Sequence, residues 1–311
     1  MQSSVVSKKF TGPTSSVRIN VPELWVFFSC HALMWEAFDP LSKQWMDLPI
    51  LNADEVFQFS DKESMAAGTE LLVLGKDMFG QAIYKYSLST NSWSAGKKMN
   101  TPRCLFASAC LGKTAIFAGG VDESGKTRDT VESYDSETGA WETLPSLLNS
   151  RKMSSGVMMD GKFYVIGGSG GKGGKALLSG EEYDFEAKKW RHIPNMSPGG
   201  GTGSMAPPLL AVVANELYAA DCLAMTVKKY NKVKNVWENI GRLPERAESM
   251  GGWGIAFRGC GDRVIIVGGP RRRGDSRLEI YSWVPSQGPP EWSVIGQKES
   301  NSFVYNCTIM G

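Results

Sequence analysis

The stretch MSSGVMMDGKFYVIGG, residues 153–168, followed by GEEYDF at 180–185 and KKWRHIP at 188–194, decides the fold. MSSGVMMDG reads as a short strand closed by the turn Asp160-Gly161. KFYVIGG is a second strand and almost wholly apolar; GEEYDF is a third and KKWRHIP a fourth. Short strands separated by Asp, Gly and Asn turns suit tight antiparallel hairpins. The pair Gly167-Gly168 ends the buried strand, where a side chain would crowd the neighbouring backbone. No segment shows sustained 3.6-residue amphipathic spacing, so helices should be few.

The same unit recurs along the chain. Trp45, Trp93, Trp141, Trp190 and Trp237 follow one another at intervals of 48, 48, 49 and 47 residues, and Trp292 comes 55 later. Seven residues before the first five stand Phe38, Tyr86, Tyr134, Tyr183 and Tyr230. The sixth pair, Tyr281 and Trp292, is stretched by the insert VPSQGPP at 284–290. Doubled glycines close the apolar runs at Gly119-Gly120, Gly167-Gly168 and Gly268-Gly269, while LLVLGK and LYAAD are degenerate copies. One sheet of this size cannot bury both faces alone; stacked radially, each sheet covers its neighbour and the aromatics fill the gap. Truncating one buried Trp to Ala should cost about 3–5 kcal/mol, so these aromatics are scaffold. Six Trp-bearing strands imply six blades of four antiparallel strands. The N-terminal piece ELWVFFSC, MWEAFDP and QWMDLP supplies only three strands, and FVYNCTIMG at 303–311 is one to spare. Donated to the incomplete blade, it closes the ring and removes a free sheet edge. Residues 1–20 read as a flexible linker and 21–311 as one propeller.

Composition narrows the chemistry. The 311 residues carry 34 basic and 32 acidic side chains, a net charge of +2, which makes no electrostatic case for nucleic acid as a partner. No run approaches a membrane span. His31 and His192 are the two histidines, too few for most metal or His-based acid–base sites. The six cysteines form no C-x-x-C pair and no secretory h-region opens the chain, which suggests free thiols in a reducing compartment, cytoplasmic or nuclear. Gly168-Ser-Gly170-Gly-Lys-Gly173 fits G-x-G-x-x-G, but a strand follows it where a nucleotide site needs a helix. Cys30 and His31, adjacent on a strand, point to opposite faces and make a poor nucleophile pair. No catalytic, cofactor-binding or metal-ligating residue is expected.

The doubled Gly after an apolar strand, then Tyr, then Trp followed by Leu-Pro, as in Trp141-Glu-Thr-Leu-Pro145, resembles the kelch repeat. The strings WVFFSCHALMWEAFDP, PRCLFASACLG, PPLLAVVANELYAAD, GWGIAFRGCGDRVIIVGGPR and SWVPSQGPPEW resemble the plant F-box/kelch-repeat family, in its Skp-interacting subgroup. That resemblance implies a six-bladed kelch propeller that recognises protein substrates for a cullin–RING ubiquitin ligase, and no enzyme activity of its own. It implies the Skp adaptor as a partner only where an F-box precedes this chain; the residues ahead of the first strand are too short for one. A stand-alone kelch adaptor or competitor is the alternative, and a kelch-fold metalloenzyme a more distant one. The protein is expected to be monomeric.

In blades of this kind the second-to-third loops and the blade-to-blade links open on one face, the usual partner surface. Those loops are GKDMFGQ, VDESGKTRD, SGGKGGKALLS, DCLAMT and PRRRGDSR; the links include the acidic–aromatic stretch from Asp54 to Phe59. Candidate partner-binding residues there are Arg128, Lys172, Lys175, Asp221, Arg271, Arg272, Arg273 and Arg277. The triple arginine could clamp an acidic or phosphorylated segment through bidentate contacts; open solvent and Asp275 satisfy the same loop tip as well. Arg103, Arg151 and Arg246 recur in phase after their Trp, which marks a framework position rather than a binding one.

Overall fold

The computed structural model describes residues 25–31, 34–170, 174–199, 206–245, 252–268, 277–300, 304 and 306–310. Six four-stranded antiparallel sheets carry the architecture, and in five of them the strands lie side by side in chain order. From the inside outward, blade 2 is Glu63–Ala67, Glu70–Asp77, Gly80–Ser87 and Ser92–Ala95. Blade 3 is Ala107–Leu111, Thr114–Ala118, Val131–Asp135 and Ala140–Leu144. Blade 4 is Ser155–Met159, Lys162–Ile166, Gly180–Asp184 and Lys189–Ile193. Blade 5 is Leu209–Val213, Glu216–Asp221, Thr226–Asn231 and Val236–Arg242. Blade 6 is Ile255–Cys260, Arg263–Gly268, Arg277–Trp283 and Ser293–Glu299.

Blade 1 is built from both ends of the described chain. Its inner strand is Asn306–Met310, followed outward by Trp25–His31, Met34–Asp39 and Gln44–Asp47. The closing pair runs in register from Trp25 opposite Met310 to Ser29 opposite Asn306. Each inner strand touches the inner strands of the blades on either side, and the circuit returns from blade 6 to blade 1. The six-bladed ring closed by the C-terminal strand is therefore the observed architecture.

Apolar side chains sort into six clusters, each drawn from two adjacent blades. Ala107, Ile116 and Val131 of blade 3 meet Phe163, Val165 and Tyr183 of blade 4, for instance. Val26, Phe28 and Phe38 of blade 1 meet Ile265, Val267 and Ile280 of blade 6. The core is thus a ring of inter-blade seams, each burying a face that a lone sheet would leave wet. Helix is scarce among the described residues: Glu55–Phe59 forms one short α-helix and Pro285–Gln287 one 3-10 turn.

The repeated aromatics divide into two roles. Phe38, Tyr86, Tyr134, Tyr183 and Tyr230 are buried, and each stands opposite its Trp in the register. The Trp residues themselves, Trp45 included, are half-buried on the outer strands rather than buried. Five of them act as pins. The indole N–H donates to a carbonyl at the end of the preceding blade's outer strand or in the link beyond it: Trp93 to Pro49 at 2.7 Å, Trp141 to Lys97 at 2.9 Å, Trp190 to Pro145 at 2.7 Å, Trp237 to Met196 at 3.1 Å, and Trp292 to Arg242 at 2.8 Å.

Blade 6 departs from the spacing. Val264 stands opposite Trp283, as Ala115 stands opposite Tyr134 in blade 3. Trp283, not Tyr281, is therefore the buried partner of Trp292, with ring centroids 5.8 Å apart. A bulge between Ile280 and Tyr281 shifts the register, and the inserted 3-10 turn takes up the slack, so spacing counted in residues misassigns the pair.

The doubled glycines are enforced by contact. Gly119 and Gly120 hold φ of 70° and 99°. A Cβ at Gly119 would lie 2.4 Å from the Arg151 carbonyl, and one at Gly120 2.5 Å from that of Cys104. Gly167 and Gly168 repeat the arrangement one blade on, with φ of 70° and 86°. Gly268 ends its strand buried; Gly269 lies outside the described residues.

Candidate functional site

The strand order puts second-to-third loops and links on one face, and hydrogen bonds knit the two there. The most developed part is a shelf on blade 2. Asp54 caps the helix Glu55–Phe59: Oδ1 accepts from the Phe57 amide at 2.7 Å, while Oδ2 accepts from the Met78 amide at 3.0 Å. These two amides, Met78 first, hold its carboxyl below the usual carboxylate range. One side chain thus locks the link to the hairpin loop twenty-four residues on. Ser60 adds a second tie, its hydroxyl accepting from the Lys76 amide at 3.2 Å.

Beneath the shelf, Phe57 is fully buried and meets Tyr84 edge-on at 4.8 Å. Gly75 makes room for it, since a Cβ there would lie 2.6 Å from the Phe57 ring. Lys62 donates to the carbonyls of Gln58 and Ser60 and lies 5.4 Å from the Phe57 ring centroid, and burial lowers its pKa. With the inward residue anchored, its neighbours face solvent. Phe59 is 82% exposed, Phe79 80% and Met78 66%, with Val56 beside them. Large exposed aromatics on a pre-ordered support are a recognition feature rather than a packing one. Leu148, Leu178, Leu223 and Trp253, also exposed, lie in loops and links that the topology assigns to the same face.

The residues singled out in the sequence fare differently. Arg128 is ion-paired with Asp122 inside its own loop. Asp122 in turn accepts from the Ser124 hydroxyl and the Ser124 and Lys126 amides. The Ser124 hydroxyl, the Lys126 amide and Arg128 bring its carboxyl down to about 2. Asp221 binds Lys228 at 2.8 Å and accepts from the amides of Leu223 and Ala224. Burial pushes its carboxyl up, but Lys228 and the amides outweigh this and hold it low. Both side chains shape their loops. Lys175 is exposed on a two-residue strand of a small three-stranded sheet with Arg151–Lys152 and Ser169–Gly170. Arg277 is exposed at the start of its strand, opposite Glu299. Lys172, Arg271, Arg272 and Arg273 lie outside the described residues, as do Arg246 and the side chains of Cys30 and His31. His192 is exposed on an outer strand.

The in-phase arginines are buried connectors. Arg103 reaches Glu132 and donates to the carbonyls of Gly119, Thr101 and Phe117. Arg151 meets Glu181 at 2.5 Å and the carbonyls of Gly167 and Ser179 at 3.2 Å each. Among the described residues no three His, Cys, Asp or Glu side chains converge as a metal site would require. No helix of the described residues is long and apolar enough to cross a membrane. Sequence reasoning named the loops of the blade 2 shelf without singling out its aromatics. The available signal was Phe59 and Phe79 standing out of repeat phase.

The Kelch motif matches residues 102–148 and 150–197, which are the outer link and body of blades 3 and 4. In Arabidopsis thaliana, F-box/kelch-repeat protein At1g26930 is 54% identical over 298 residues, covering 93% of this chain and 71% of its own length. F-box/kelch-repeat protein SKIP11 is 55% identical over 303 residues, covering 93% of this chain and 64% of its own. F-box/kelch-repeat protein At1g74510 is 50% identical over 307 residues, or 94% and 68%. Identity of this order over a six-bladed ring with an intact repeat leaves one conclusion: the chain belongs to the F-box/kelch-repeat protein family.

Proposed function

We propose that this propeller is the client-recognition part of an F-box ubiquitin-ligase receptor, and that the blade 2 shelf is its main protein-binding anchor. The observation that carries the reading is the exposed Phe59–Met78–Phe79 group on a face whose support is tied by Asp54 and Ser60. A rigid anchor loses little ordering entropy on docking, and a few large side chains commonly dominate a protein interface. The client would present apolar side chains to the shelf. Ubiquitin transfer is the work of partner subunits, with the Skp adaptor engaged through an F-box ahead of the propeller in the whole protein. Cytoplasm or nucleus is the corresponding location.

The test uses the full-length gene product in plant cells, wild type against the double variant F59A/F79A. Both side chains are exposed, so the variant should melt with the wild type and retain the Skp adaptor. A defined set of proteins should become longer-lived and lose ubiquitin when the variant replaces the wild type. An unchanged proteome would remove the shelf from the account. Failure of the wild-type protein to bind the Skp adaptor would favour a stand-alone adaptor instead.

A further inference from the structure

The hub of the ring holds a cavity of about 300 Å³ lined by the inner strands of all six blades. Its walls are mostly small or apolar: Ala66, Ala109, Val157, Ala211 and Val212 among them. Two charged side chains line it, Glu63 on blade 2 and Arg258 on blade 6. Blade 1 lies between those blades and contributes Cys307, Thr308 and Ile309 to the wall.

Neither charge is paired. Arg258 donates to the Phe257 carbonyl at 3.1 Å, which leaves most of its guanidinium donors unused. Glu63 forms no hydrogen bond or ion pair among the described residues. The two are close enough to feel each other: Arg258 draws the Glu63 carboxyl down against a larger upward push from burial, and Asp61 adds to that push, leaving it at about 7. They are nevertheless too far apart to form an ion pair. Two opposite charges, Glu63 half-buried and Arg258 exposed, thus line one hub space without pairing with each other. The Ser64 and Ser154 hydroxyls on the same wall have no hydrogen-bond partner.

We propose that the hub binds a small zwitterion of the free α-amino-acid class, its carboxylate on Arg258 and its ammonium on Glu63. A guanidinium takes a carboxylate through two parallel N–H bonds, and a carboxylate is the natural acceptor for an ammonium. An anion alone would leave Glu63 unpaired and repelling; a cation alone would do the same at Arg258. The volume stands at the lower end of ligand pockets and suits a molecule of amino-acid size. Such a guest would tie blade 6 to blade 2 across the closing blade.

Titration of this protein with L-serine and L-glutamine at pH 7, by calorimetry and thermal unfolding, tests the site. The expected result is saturable binding in the millimolar range or tighter, with Tm raised by about 2–5 °C at saturation. Acetate and ethylammonium, which carry the two charges separately, should give no comparable shift at the same concentration. Glu63→Gln and Arg258→Gln should each abolish the heat of binding at 20 °C while the unliganded proteins still unfold cooperatively. No response to either amino acid, an equal response to acetate, or binding that survives both substitutions would overturn the proposal.

Discussion

Arg151 shows how much a single side chain carries in this ring. It is wholly buried, and Glu181, its partner, also accepts from the Leu148 and Asn149 amides, so one ion pair joins the link between blades 3 and 4 to the third strand of blade 4. Removing one member of a buried pair leaves the other charge uncompensated. Arg151→Met should therefore cost about 3–5 kcal/mol in urea unfolding, whereas a loss below about 1 kcal/mol would place it with ordinary surface pairs. Glu63 gives a pH signature of opposite character. Its carboxyl is raised from 4.5 to about 7 by burial, Arg258 pulling it down and Asp61 pushing it up. Between those values the folded protein keeps a proton that the unfolded chain has released, so stability falls as pH rises through the window. Glu63→Gln should gain on the wild type between pH 5 and pH 8, by about 1–3 kcal/mol. Parallel stability curves for the two proteins would show that the carboxyl is not buried in this way.

At the scale of elements, the shelf depends on close packing between a five-residue helix and a hairpin. Gly75→Ala would place a methyl 2.6 Å from the Phe57 ring, and overpacking of this kind costs about 1–3 kcal/mol. The strain should appear locally, as faster hydrogen exchange at the Phe57 and Met78 amides whose bonds to Asp54 hold the shelf. Unchanged protection at both would mean that Phe57 has room to move. The repeating elements were readable in the sequence because the aromatic–Trp pairs of the first five blades and the doubled glycines recur in phase. The shelf was not, because Asp54 and Met78 meet through tertiary contact between segments that share no phase. The same limit explains Arg128 and Asp221. Both are charged loop residues and looked available, yet Asp122 and Lys228, six and seven residues away in the same hairpins, neutralise them. Trp283 was concealed by a bulge, which changes the count of residues without changing the place of the side chain.

At the scale of the whole molecule, six seams share the stabilisation and none is complete unless the ring is shut. Radially stacked sheets leave two open faces if one blade lacks its inner strand, and here that strand comes from the far end of the chain. Cys307, Thr308 and Met310 are buried in the closing strand. The Thr308 hydroxyl accepts from the Ala66 amide of blade 2 at 3.1 Å, 242 residues away. The closing strand therefore ties blade 1 to the blade that carries the shelf, and it walls the hub between Glu63 and Arg258. Recognition on the face and any binding in the hub both rest on this closure. Its most direct test is thermal unfolding of the chain with and without residues 303–311. A closed ring predicts one cooperative transition for the whole chain and a Tm about 10 °C or more lower for the truncated one; a truncated protein melting within 2 °C of the intact chain, on the order of a surface change, would contradict it.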